Sequence, residues 1–252
     1  MQKRVEVMIQ IEKMVHKYVI KNFECDCKDK LRLRTLLNML QDIADDSAND
    51  IGIGYEHLRT VGKAWVLMAM NVQIDYMPDL QDEITLKSWP SDESALYTER
   101  EFEVWNSEGK RIIRAASQWI VIDFASRRPV QLRRYLPEYE PIREKVISGN
   151  RFPKLPAIES EDYSEKFLVR YDDIDRNNHV NNAIYPLWAS ESLEPDFRLS
   201  HEPASMLINF KKEGLFGEKI GVSTHLENKT SMHSITALND GRELARVRFT
   251  WR

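Results

Sequence analysis

The stretch from Arg170 to Tyr185 reads Arg-Tyr-Asp-Asp-Ile-Asp-Arg-Asn-Asn-His-Val-Asn-Asn-Ala-Ile-Tyr, and it is crowded with groups that ionise or hydrogen-bond. Asp173, Asp175, Asn177 and His179 alternate with other residues. In an extended segment their side chains point to one side, which makes a carboxylate, amide and imidazole row suited to moving protons. The competing reading is an Asp- and Asn-rich loop that caps a helix, with Asn181 or Asn182 as the cap. A second carboxylate is Glu213. It ends a predicted strand in which Met206, Ile208 and Phe210 share one parity and Glu213 takes the other, just before Gly214, where a bulge or turn is expected. By itself such a carboxylate reads as a surface strand end.

The elements that must position these groups come in two rounds. Leu33, Leu36, Leu37, Leu40, Ile43, Ala44 and Ala48 recur at helical spacing, and the helix should end before Gly52 and Gly54. Strand-like segments follow at 66–75 and 83–89, then a long hairpin at 96–105 and 111–123 around Asn106-Ser107-Glu108-Gly109. From about Gln131 to Glu165 no apolar period survives among Pro137, Pro141, Pro153 and Pro156, so a surface linker is predicted. The pattern then begins again. A short strand at 167–171 leads to a helix around Ile184, Leu187, Trp188 and Leu193, with Pro186 in its first turn or kinking it. Strands follow at 205–212, 219–227, 233–238 and 243–251, and Asn239-Asp240-Gly241 is a hairpin signal.

This is an internal repeat. Phe23-Glu24-Cys25 matches Tyr171-Asp172-Asp173 at an offset of 148, and Asp82-Glu83-Ile84 matches Glu218-Lys219-Ile220 at an offset of 136. The longer first helix accounts for the difference. On that alignment Asn177 falls on Asp29, His179 on Leu31 and Glu213 on Met77, so the half that carries the histidine is the candidate for chemistry. A helix on an antiparallel sheet, twice, is an α+β fold.

The composition narrows the function classes. Lys and Arg number 36 against 40 Asp and Glu, a net charge of −4, which argues against a general nucleic-acid binder. No run approaches the length of a membrane span, and Gln, Glu and Lys interrupt the apolar positions of the N-terminus, so no secretory leader is read there. The two cysteines, Cys25 and Cys27, are too few for a disulfide framework or a Cys-rich zinc site and fit reduced thiols in the cytoplasm. No Gly-x-Ser-x-Gly, dinucleotide loop, P-loop or His-Glu-x-x-His motif is present, and neither a metal nor another cofactor is called for. His201 and His233 read as exposed loop or strand-edge residues, and the six tryptophans as core or groove lining.

Asp173-Ile-Asp175-Arg-Asn177-Asn-His179-Val-Asn181-Asn182 resembles the active-site motif of acyl-acyl-carrier-protein thioesterases. Ala64-Trp65-Val66, the segment from Asp82 to Trp89, Ser117 to Pro129 and Ile208-Asn-Phe-Lys-Lys-Glu213 are similar to that family as well, so the resemblance spans about residues 12–252. It implies two tandem hot-dog domains packed as a pseudo-dimer, each an antiparallel sheet wrapped around a long helix. The expected divisions are an acyl-binding domain at 1–136, a linker at 137–165 and a catalytic domain at 166–252. Carried over by position, the family's catalytic Asp, Asn, His and Glu fall on Asp175, Asn177, His179 and Glu213. The Cys that often follows that Glu is Gly214 here, which leaves a water-activated hydrolysis. Backbone N–H groups from Val180 to Asn182 are the expected oxyanion donors. The resemblance puts the acyl chain in the N-terminal half, with Leu37, Leu40, Met68, Met70, Val72 and Trp119 as candidate walls. It implies an acidic partner, the acyl carrier protein, for which Arg127, Arg128, Arg133, Arg134, Lys211 and Lys212 are candidate contacts. Pairing into a homodimer is common in the family. An acyl-CoA thioesterase, a non-catalytic acyl-binding regulator and a dehydratase of the same fold are the alternatives.

Overall fold

The computed structural model describes residues 9–252. Residues 1–8, where the start of the expected first domain and part of the N-terminal leader reading fall, lie outside the described residues. Strand β1 (Met14–Val19) leads through a 3-10 turn at Asn22–Glu24 to α1 (Leu33–Asp50) and the short α2 (Tyr55–Thr60). Four strands follow: β2 (Lys63–Ile74), β3 (Glu83–Glu93), β4 (Tyr97–Asn106) and β5 (Arg111–Asp123). The second round is β6 (Tyr163–Leu168), a 3-10 turn at Tyr171–Asp173, α3 (Ile184–Glu191) and α4 (Pro195–Ser200). It closes with β7 (Pro203–Phe210), β8 (Lys219–Glu227), β9 (Thr230–Ala237) and β10 (Glu243–Trp251).

All ten strands join one antiparallel sheet in the order β1-β3-β4-β5-β2-β7-β10-β9-β8-β6. Read from either end, the order is the same under the repeat, so the two halves meet at a two-fold seam between β2 and β7. That seam runs from Ala69 opposite Asn209 to Gln73 opposite Ser205. Leu36, Leu37, Leu40 and Ile43 form the buried stripe of α1, which lies across the concave face of the sheet among Met70, Val72, Phe102 and Val104.

The second helix is shorter than expected. α3 has 8 residues against 18 in α1. Pro195 explains the break, because the residue before a proline is driven out of the helical region and Glu194 is extended at φ −53°, ψ 137°. The strand before it, β6, begins four residues earlier than the sequence suggests.

The predicted surface linker is not a surface segment throughout. Leu132, Leu136 and Tyr139 are buried against Val121, Ile53 and Leu58, and Val146 and Ile147 pack on Trp89 and Ala116 on the convex face of the sheet. Its anchors are single residues spaced irregularly, which leaves no period to read. Arg151 supplies a buried guanidinium to Glu101 of β4.

His233 is not at a strand edge either. It is fully buried in β9, with Nδ1 2.7 Å from Thr224 Oγ1 and Nε2 2.8 Å from Ser231 Oγ. Burial pushes its pKa down from 6.5 to about 3. Below pH 6.5 the unfolded chain therefore binds a proton that the native state refuses, so stability falls with falling pH. By pH 4 this site alone costs about 3 kcal/mol. A plot of melting temperature between pH 7 and pH 4 should fall more steeply for the wild type than for H233Q. Parallel curves would remove His233 from the account of acid sensitivity. His201 is half-buried and stacks on Phe197 with ring centroids 4.1 Å apart.

Candidate active site

The loop that precedes α3 is a tight hydrogen-bonded turn, not an extended row. Asp175 N donates to His179 O at 2.8 Å, and Asn178 takes a left-handed φ of 62°. Asp175 Oδ1 accepts from the backbone N–H of Asn177 at 2.8 Å and of His179 at 3.2 Å, and Oδ2 accepts from Asn177 Nδ2 at 3.2 Å. Asp175 thus organises the turn. Asp173 does not join the others. It is fully buried and accepts from Arg170 Nη2 at 3.1 Å and from the Arg170 backbone at 2.9 Å. Neither Asn181 nor Asn182 is the cap of α3: Ala183 takes that position without a side-chain cap bond, Asn181 Oδ1 accepts from Ala183 N at 2.9 Å in the turn before it, and Asn182 Nδ2 reaches Gln41 Oε1 of α1 at 2.9 Å.

Glu213 lies three residues beyond the end of β7, on the loop to β8 rather than in the strand. Lys211 and Lys212 turn off the sheet by donating their backbone N–H groups to Leu244 O. Val180 N donates to Gly214 O at 2.9 Å, which ties the two loops together. Gly214 N donates to the Tyr185 hydroxyl at 2.9 Å, and burial pushes the Tyr185 pKa up to about 12. A Cβ at Gly214 would stand 2.9 Å from Val180 Cγ2, so the cysteine common in the resembled family has no room without a shift. The outcome is a pair: His179 Nε2 lies 3.6 Å from Glu213 Oε2, and both side chains are partly open to solvent.

The other half closes on this pair. Arg127 crosses from the turn after β5 to bond Glu213 Oε2, and its φ of 57° is left-handed. Arg176 donates to Asp45 Oδ2 at 3.0 Å and stacks 3.8 Å from the Tyr55 ring centroid. Between these walls lies a cavity of about 820 Å³. Asp175, Asn177, His179 and Glu213 all line it, as do Lys211, Lys212 and Arg127. Of the six residues expected to wall the acyl chain, Met68 and Trp119 do. Leu37, Leu40, Met70 and Val72 do not, because their side chains are spent in the core between α1 and the sheet. The sequence reading missed Ala44, Ala48, Ile53 and Arg100 on the cavity wall. The two alanines offered a signal, since small residues on an otherwise leucine-rich stripe leave room beside the helix.

Two further expectations change. Val180 N and Asn181 N are already bonded to Gly214 O and Asp173 O, so they are not free to hold an oxyanion. Among the described residues, Asn182 N is the one of the three with no acceptor. The repeat offset is also one short. Asp26 caps the backbone of Lys28 and Lys30 as Asp175 caps Asn177 and His179, and Asp29 at φ 58° mirrors Asn178. These pairs are 149 apart, so the counterparts of Asn177 and His179 are Lys28 and Lys30. Phe23 and Tyr171 looked equivalent as aromatics, but the turns are what superpose. Leu31 N donates to Pro78 O as Val180 N does to Gly214 O, so Met77 remains the counterpart of Glu213. The first half therefore repeats the scaffold without the imidazole or the carboxylate.

His16, Asp42 and Asp46 form a separate cluster with ligand atoms within 4.8 Å, already joined by a His16–Asp46 contact of 3.2 Å. Cys25 and Cys27 are both free thiols. No helix among the described residues is long and apolar enough to cross a membrane.

Sequence comparison decides the family. The profile of the acyl-ACP thioesterase N-terminal domain matches residues 12–138, and that of the C-terminal domain matches residues 157–252. The chain belongs to the acyl-ACP thioesterase family. A chloroplastic palmitoyl-acyl carrier protein thioesterase of Gossypium hirsutum is 25% identical over 93% of this chain and 62% of its own length. The chain thus spans about three fifths of the curated relatives it first matches. An acyl-ACP thioesterase structure from Bacteroides thetaiotaomicron superposes with a TM-score of 0.83 at 22% identity, covering 95% of this chain and 98% of that one. The 12:0-ACP thioesterase of Umbellularia californica gives 0.83 at 18% identity, covering 95% and 97%. At those identities the likeness establishes the double hot-dog fold. Both thioesterase profiles fall on the two structural rounds, and the stretch between them lies inside the segment that was expected to be a linker.

Proposed function

We propose that this chain hydrolyses fatty acyl thioesters of an acyl carrier protein, releasing the free fatty acid and ending elongation. The observation that carries the reading is the His179–Glu213 pair at the mouth of a cavity of about 820 Å³, within a chain of the acyl-ACP thioesterase family. In this reading residues 166–252 supply the chemistry, residues 1–136 hold the acyl chain, and residues 137–165 join and buttress them.

Glu213, with His179 beside it, takes a proton from a water as the water oxygen bonds to the thioester carbonyl carbon. Asn177 orients that water, and Asp175 holds Asn177 and His179 in place through the turn. Asn182 N–H is the backbone donor available to the carbonyl oxygen as it gains charge. The carbon–sulfur bond then breaks, and the proton passes to the departing thiolate. Met68 and Trp119, with Ala44, Ala48 and Ile53, offer the acyl chain an apolar wall.

The carrier partner is supported by exposed cations. Arg128, Arg134 and Lys212 are exposed and have no ion-pair partner among the described residues. Arg133 and Lys211, by contrast, are engaged by Glu93 and Glu243. Of these, Lys212 lines the cavity, and an acidic carrier would meet a free cation there despite the net charge of −4. Two free thiols fit a reducing compartment, and we place the reaction in the cytoplasm on that ground.

The test is hydrolysis of a ladder of acyl groups presented on carrier protein and on CoA, followed by free thiol and free fatty acid. Carrier-borne donors should be cleaved with the higher kcat/KM, and added salt should erode that advantage. Equal or better release from CoA would move the assignment to an acyl-CoA thioesterase. Donor that is bound but never cleaved would make the chain a regulator.

A further inference from the structure

The far end of the cavity is polar, and it holds a cation without a counter-charge. Arg100 sits on β4 with its side chain on the concave face, between Thr98 and Phe102. It is 7% exposed and lines the cavity. Among the described residues its one hydrogen bond runs from Nη1 to Ser88 Oγ at 3.1 Å, and no carboxylate lies within ion-pair distance. Its remaining N–H groups are left for whatever fills the cavity. Burial pulls its pKa down to about 10, so it stays charged at neutral pH. Tyr139, also on the cavity wall, has a buried hydroxyl with no well-formed hydrogen bond, although Thr98 and the Glu93 carboxylate stand near it. Glu93 gives its Oε1 to Arg133 at 2.7 Å, and its buried Oε2 is without a well-formed hydrogen bond beside Tyr139.

This end is remote from the reacting groups. Glu213 follows β7, and β4 is three strands away in the order β4-β5-β2-β7, or about 14 Å across the sheet. A methyl-ended chain that reached Arg100 would strip water from a lone guanidinium and give nothing back. An oxygen anion there would receive charged hydrogen bonds from the free N–H groups of Arg100, with the Tyr139 hydroxyl on the same wall shared with Glu93.

We propose that the Arg100–Tyr139 end of the cavity is a subsite for a carboxylate at the far end of the acyl chain, so that half-thioesters of medium-chain dicarboxylic acids are favoured over plain chains of equal length. The proposal rests on the reading of the cavity as the acyl site. Upstream chemistry must then supply an acyl chain oxidised, or primed with a diacid, at the end away from the thioester.

The test pairs methyl-ended and carboxyl-ended acyl groups, from hexanoyl and hexanedioyl to dodecanoyl and dodecanedioyl, on the same carrier protein. At the best-fitting length the wild type should favour the carboxyl-ended donor by about tenfold to a hundredfold in kcat/KM. R100M should abolish that preference, and R100K should keep part of it. A wild type that cleaves methyl-ended chains at least as well at every length overturns the proposal while the thioesterase reading stands, and this comparison needs no variant to fold. If neither donor is cleaved, the thioesterase reading fails and the subsite is judged by melting. A larger stabilisation by decanedioate than by decanoate supports it, and equal shifts overturn it.

Discussion

Replacing Glu213 by glutamine, or His179 by alanine, should lower kcat for acyl-carrier-protein hydrolysis by about 10²–10⁴-fold, the range that a positioned acid or base contributes. Glutamine keeps the shape of the side chain and one acceptor for Arg127, but it cannot hold the proton that the attacking water gives up. Alanine at 179 removes the imidazole that stands 3.6 Å from Glu213 Oε2 and leaves the Asp175 turn intact, because that turn uses the His179 backbone. Neither change should cost much stability. The side chains are 27% and 34% exposed, and neither fills the core, so melting temperatures should stay near that of the wild type. Single-turnover release of free thiol measures the effect on chemistry apart from product release. Full hydrolysis by both variants would sink the assignment. A D175A variant should behave differently, losing activity together with local order, since Asp175 Oδ1 is the acceptor that shapes the loop.

The repeat, and with it the fold, was legible because both signals are periodic. A leucine stripe marks α1, alternation marks the strands, and each recurs after a nearly constant interval. The two strand starts at Glu83 and Lys219 are aligned correctly at 136, since strand alternation fixes a register. The turn before each helix has no such period. What the two copies share is an aspartate capping its own backbone and a residue at positive φ, and aromatic resemblance placed them one residue off. That loss of register hid Lys30 as the counterpart of His179. Parity failed at Asp173 for a related reason, because alternation places side chains only where the backbone is extended. The Arg100 subsite was invisible from sequence. Arg100 stands in a run of charged residues, Glu99-Arg100-Glu101, that reads as a solvated strand face. Its neighbours turn to the convex side and meet Arg151 of the segment expected to lie on the surface, while Arg100 turns inward.

That covered convex face gives the largest expected stability effect. Glu101 is fully buried on β4, accepts from Ser91 Oγ at 2.6 Å and from Val146 N at 3.0 Å, and pairs with Arg151. Burial pushes the Glu101 carboxyl up and pulls the Arg151 guanidinium down, and Arg151 faces a second carboxylate in Glu99. E101L should destabilise the protein by about 3–5 kcal/mol, because it leaves Ser91 Oγ and the buried Val146 N–H without their acceptor and takes one of two carboxylates from a buried guanidinium, leaving Glu99 as its partner. In a chain of this size that is a fall in melting temperature of roughly 10 °C. The double variant E101L/R151L should recover part of the loss, since it removes the buried guanidinium and leaves Glu99 to Lys145 at 3.6 Å. Recovery separates the burial of a half-paired ion from a simple loss of packing, which the second substitution would deepen. A single E101L variant that melts with the wild type would mean that Glu99 is partner enough for Arg151, and the Glu101 contacts would then contribute little to holding the segment from 142 to 155 on the sheet.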